Sequence, residues 1–72
     1  MTLNATVSFK GKTESFKVAD AGHGKDWAET RAVAYFFFKH PELALKEKGL
    51  SFRQIKFKAV ASGAVVTLEE RA

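Results

Sequence analysis

Apolar and polar residues alternate without a break across residues 2–10, TLNATVSFK. Leu3, Ala5, Val7 and Phe9 fall on one side, and Thr2, Asn4, Thr6, Ser8 and Lys10 on the other. This period of two predicts a half-buried strand. Residues 13–19, TESFKVA, alternate too, with Phe16 and Val18 on the apolar side. A two-residue loop at Gly11-Lys12 pairs Val7 with Phe16 and Ala5 with Val18, so the apolar faces coincide. A three-residue loop would set Val7 against Ser15 and oppose them. Glycine in the first loop position suits a type II′ turn.

Residues 52–60, FRQIKFKAV, and 64–70, AVVTLEE, read as a second hairpin around Ser62-Gly63. That pairing sets Ala59 against Val66 and Phe57 against Leu68 inward. Outward it sets Lys58 against Thr67 and Lys56 against Glu69, an opposite-charge cross-strand pair.

Between the two hairpins the period changes to that of a helix. Asp26 followed by Glu29 is a D-x-x-E start signal ahead of WAETRAVAYFFFK, with Asp26 as the capping residue. His40 precedes Pro41, which steers it out of the helical region and ends the helix near Lys39. Pro41 then opens a shorter helix, PELALKEK, closed by Gly49, with Leu50 folding back onto Leu45. The predicted fold is α+β, ββ-α-(short α)-ββ: an antiparallel four-stranded sheet of two hairpins with helices packed on one face.

The first helix is apolar nearly all round. At 100° per residue, Trp27, Val33, Ala34, Phe37 and Phe38 form the core arc, which leaves Tyr35 and Phe36 outside it. Either the second helix covers these two aromatics, or they form a protein or homodimer interface.

Composition narrows the function classes. Seventy-two residues, 46% hydrophobic and 28% charged, describe one globular domain spanning 1–72. The absence of cysteine excludes disulfides, thiolate catalysis and Cys-containing zinc sites. The longest apolar run, Ala32 to Phe38, is far short of the ~20 residues that span a bilayer. With no basic leader at the start, a cytoplasmic protein without a membrane partner is expected.

The stretch GHGKDW, residues 22–27, invites a phosphate-loop reading. The full pattern needs glycine at 19 and a hydroxyl at 26, where this chain has Ala19 and Asp26. Turn and helix start explain the stretch better than nucleotide binding does. His23 and His40 lie at opposite ends of the first helix and lack ligand spacing, so no metal and no cofactor is expected. Glu69 and Glu70 point to opposite faces of a strand, and no serine has a recognisable base partner, so no catalytic set is expected either.

Charge distribution is the remaining lead. The net charge is +4; residues 20–49 balance, and the excess falls on the two hairpins. Lys10, Lys17, Lys56 and Lys58 point away from the apolar face, with Lys12 at a turn tip, so a basic sheet face is expected. Phe9, Phe16 and Phe57 point inward on this reading and leave no aromatics for base stacking. The expected function is therefore a small non-enzymatic binding or regulatory protein that docks onto a protein with an acidic surface. The alternative is a nucleic-acid-binding module using the same lysines. The plan resembles that of small accessory and regulatory proteins, phage-encoded ones among them, an analogy of fold alone.

Overall fold

A computed structural model describes residues 2–19, 24–43 and 49–70, the last without the side chain of residue 70. Its elements run β1 (Thr2–Phe9), β2 (Lys12–Ala19), α1 (Gly24–Lys39), a single 3-10 turn (Pro41–Leu43), α2 (Phe52–Ala61) and β3 (Val65–Glu70). The fold is α+β, as expected. The sheet, however, is antiparallel with three strands in the order β2-β1-β3, not four.

The missing strand is α2. Residues 52–61 alternate only at Ile55, Phe57 and Ala59, whereas both ends carry helix signals. At the start, Ser51 and Gln54 form a reciprocal capping box: the Ser51 Oγ accepts from the Gln54 N–H at 3.3 Å, and the Ser51 N–H donates to Gln54 Oε1 at 2.8 Å. At the end, Gly63 takes φ +105°; its N–H reaches the Val60 carbonyl at 3.1 Å, and the Ala64 N–H reaches Ala59 at 2.9 Å. That is a Schellman stop. Ser62-Gly63 therefore ends a helix instead of turning a hairpin. Burial follows the helical period: Lys56 and Ala59 are buried, Ile55 is half-buried, and Phe57, expected inward, is 61% exposed.

With α2 removed from the sheet, β3 pairs with β1 instead. Ala5 faces Leu68 and Val7 faces Val66. The first hairpin keeps its predicted facing but shifts register by two, so that Ala5 meets Phe16, Leu3 meets Val18 and Val7 meets Glu14. Its loop is Lys10-Gly11, not Gly11-Lys12, and both residues have positive φ, 49° and 80°. This is the signature of a type I′ turn, which, like the predicted type II′, follows the twist of the strands.

α1 lies across the same face of all three strands, and α2 packs against α1. Leu3, Ala5, Val7 and Phe9 of the central strand are all buried beneath this layer. Ala28 and Ala32 are fully buried as well, and their small side chains let helix and sheet approach closely. The helix spans Gly24–Lys39, starting earlier than predicted and ending where Pro41 required. Asp26 consequently lies in the first turn, not at the cap. The first two residues of GHGKDW, Gly22 and His23, are outside the described residues, as is most of the expected second helix, residues 44–48.

The core arc of α1 also turns from its predicted position. Phe36 is 0% exposed, with its ring 6.5 Å from Phe9 and 5.0 Å from His40, whereas Phe38, assigned to the core, is 68% exposed. Tyr35 is half-buried, edge-on to Phe16 at 6.0 Å. Phe36 packs on Phe9 of the sheet and on His40 at the end of α1.

Candidate functional site

The expected basic sheet face does not assemble. On β1 and β2 the open face carries Asn4, Thr6, Ser8, Thr13, Ser15 and Lys17, with hydroxyl pairs Thr6–Ser15 at 3.2 Å and Ser8–Thr13 at 3.0 Å. Its one lysine lies opposite Asn4 across β2, and Glu69 lies opposite the same Asn4 across β3. Lys10 sits in the turn with its Nζ 5.2 Å from the Phe9 ring centroid, and Lys12 opens β2 beside it. Lys56 and Lys58 are on α2, away from all three. Only Lys10 and Lys12 come together.

Lys56 corrects the strand reading most sharply. It is 8% exposed, and its Nζ sits 2.5 Å from Asp26 Oδ1 and 3.3 Å from Glu29 Oε2. Burial pulls its pKa down, but hydrogen bonds to the two carboxylates outweigh that and hold it above the usual lysine value. Asp26 is depressed in turn, first by Lys56 and then by Arg53, whose Nη2 is 3.0 Å from Oδ2. The residue read as a cap therefore ties α1 to α2.

A second polar knot fastens the far end of α1 to β2. Glu14 takes Lys39 at 3.0 Å and His40 Nε2 at 2.7 Å, while His40 Nδ1 faces Glu42 at 3.3 Å. Lys39, then His40, holds the Glu14 carboxyl below its ordinary pKa. Among the described residues no group of three or more His, Asp or Glu is arranged to hold a metal ion, and no helix is long and apolar enough to cross a membrane.

The site that does assemble lies between the helices. Asp26, Trp27, Thr30 and Arg31 from the start of α1 meet Phe52 and Arg53 from the start of α2 around an open cleft of about 360 Å³. Arg31 stacks its guanidinium 4.8 Å from the Trp27 ring and 5.6 Å from Tyr35, and donates to the Tyr35 hydroxyl from Nε at 3.2 Å and Nη2 at 2.9 Å. Beyond the cleft, Phe38 and Phe52 meet edge-on at 6.2 Å, both exposed. Phe57 and Val60 continue the exposed apolar surface along α2, on the stripe that carries Arg53.

No family model, curated protein or solved structure matches this chain.

The predicted interface pair thus divides. Tyr35 orients Arg31 at the rim of the cleft, and Phe36 has no exposed surface to give a partner or a second copy. The sequence pattern does not show the cleft, because Asp26 and Arg53 are 27 residues apart and residues 52–60 read as a strand. The S-x-x-Q of Ser51 and Gln54 was the signal that could have placed Phe52 and Arg53 at a helix start.

Proposed function

We propose that this chain is a small non-enzymatic binding protein that docks onto an acidic protein surface through the face formed by α1 and α2. The observation that carries the reading is the exposure of Phe38, Phe52, Phe57 and Val60 on these helices, beside two arginines in an open cleft. Arginine and large aromatics dominate the energetic centres of protein interfaces. The sheet's open face offers neither exposed aromatics nor surplus charge among its described residues.

The test is capture from the native cell on three immobilised forms: wild type, the double variant Phe38→Ser/Phe52→Ser, and the charge-reversed hairpin Lys10→Glu/Lys12→Glu/Lys17→Glu. The reading predicts that wild type and the hairpin variant retain the same protein and that the helix-face variant loses it. Retention that survives on the helix-face variant, or that nuclease treatment abolishes, contradicts the reading. The second of these would favour a nucleic acid instead.

A further inference from the structure

Arg31 is the odd member of the cleft. It is half-buried, yet among the described residues its only hydrogen-bond acceptor is the neutral Tyr35 hydroxyl, with no carboxylate in reach. A guanidinium has five N–H donors in a planar fork, and two of Arg31's are spent on one oxygen. Among the described residues, Arg53 is committed only through an exposed pair with Asp26, the kind of contact that contributes little and exchanges readily. Asp26 would not be left uncompensated if Arg53 moved, because Lys56 holds its other oxygen. Among the described residues, the cleft therefore has one full guanidinium charge in surplus and a second that can be redirected.

The walls say what else would enter. Trp27 and Phe52 present aromatic surface on the two sides, and the volume is near the low end of ligand pockets, which run from roughly 300 to 1,000 Å³. That suits one aromatic side chain, not a nucleotide cofactor. A phosphate dianion would meet the Asp26 carboxylate across the cleft, whereas a single carboxylate matches the surplus and the fork geometry.

We propose that the cleft takes a peptide segment of the partner in which an Asp or Glu side chain, bound by Arg31 and Arg53, precedes an aromatic residue lodged between Trp27 and Phe52. This rests on the docking reading above and names what is docked. The test uses the blocked peptide acetyl-Ala-Asp-Phe-Ala-amide with the intact chain. Trp27 is the sole tryptophan and lines the cleft, so its fluorescence reports on the site without background from another tryptophan. The expected result is a saturable change, weakened about tenfold or more when Asn replaces the peptide's Asp, the cost of losing a charge-assisted hydrogen bond. Arg53→Gln and Arg31→Lys weaken it similarly, and Lys17→Glu, on the far side of the sheet, does not.

Three results would overturn the inference: no saturable change up to about 10 mM peptide, a range that covers weak contacts; equal binding of the Asn peptide; or a response only to a mixed-sequence oligonucleotide. If the peptide fails while Phe38→Ser/Phe52→Ser still abolishes protein capture, this inference falls and docking stands. Peptide binding without any dependence of capture on those two residues leaves the cleft assignment intact and removes the docking reading.

Discussion

Replacing Ser51 with alanine tests whether residues 52–61 form a helix held by its own start signal. The substitution removes the Oγ that accepts from the Gln54 N–H and leaves the reciprocal Ser51 N–H to Gln54 Oε1 bond in place. Loss of a capping side chain costs about 0.5–2 kcal/mol. The 3.3 Å bond is long and exposed, which places this case in the lower half, about 0.5–1 kcal/mol. For a domain of this size each kcal/mol moves the melting temperature by roughly 4–8 °C, so a fall of about 2–8 °C is expected. Ser51→Asp keeps an acceptor and places a negative charge at the helix start, so it should stay within about 0.5 kcal/mol of wild type. Urea unfolding followed by circular dichroism gives both values. If alanine is neutral, or if aspartate is the more damaging of the two, the capped helix is wrong. On a strand the substitutions would show no such order, because Asp is disfavoured there and Ala only mildly so.

Phe36→Ala should cost about 3–5 kcal/mol, a large share of the roughly 4–11 kcal/mol expected for the whole chain, whereas Phe38→Ala should change stability by less than about 1 kcal/mol; urea midpoints of equal size would reverse the burial assignment. Lys10→Asn should stabilise by up to about 1 kcal/mol, since Asn tolerates the +49° φ of the type I′ turn better than lysine, despite losing the cation over Phe9. Thermal stability should fall at both pH extremes. Glu14 and Asp26 have folded pKa values below 4.5 and 3.8, so what they contribute is present above those values and is lost as pH drops through the folded ones. Lys56 is raised above 10.5, so its contribution is present below that and lost as pH climbs through the folded value. A Glu14→Gln/Asp26→Asn variant should show a flatter acid arm than wild type; an unchanged arm would refute these assignments.

Much of the first half was legible because single periods decide it. Unbroken alternation from Thr2 to Phe9 marks a strand with one buried face, and Pro41 fixes the end of α1 whatever surrounds it. Even there the turn slipped by one residue, because parity of the apolar faces admits registers two apart. In the register that forms, Lys10 and Gly11 make the turn, both with positive φ, and Phe16 lies opposite Ala5 with its ring edge-on to Tyr35. The second half misled because Ile55, Phe57 and Ala59 alternate and Ser62-Gly63 has the composition of a hairpin turn. The capping box and the Schellman bonds outweighed three residues of alternation. Alternation in β3 shows which residues face inward but not which strand lies beside it, so its pairing with β1 was open. The 100° wheel puts Phe38 in the core arc and Phe36 outside it, a weak ranking on a helix apolar nearly all round, and the position of the sheet reverses it. Lys56 looked like solvated charge until the tertiary fold brought Asp26 and Glu29 to it.

The proposed docking surface was the least legible part, since the cleft is built from two helix starts brought together by folding. Amide shift mapping of the labelled chain against its captured protein partner tests directly whether the partner docks on the α1–α2 face. The largest changes should fall on Trp27, Arg31, Phe38, Phe52, Arg53 and Phe57. Changes confined to Thr6, Ser8, Ser15 and Lys17 on the open sheet face, or to the Lys10–Lys12 tip, would contradict it.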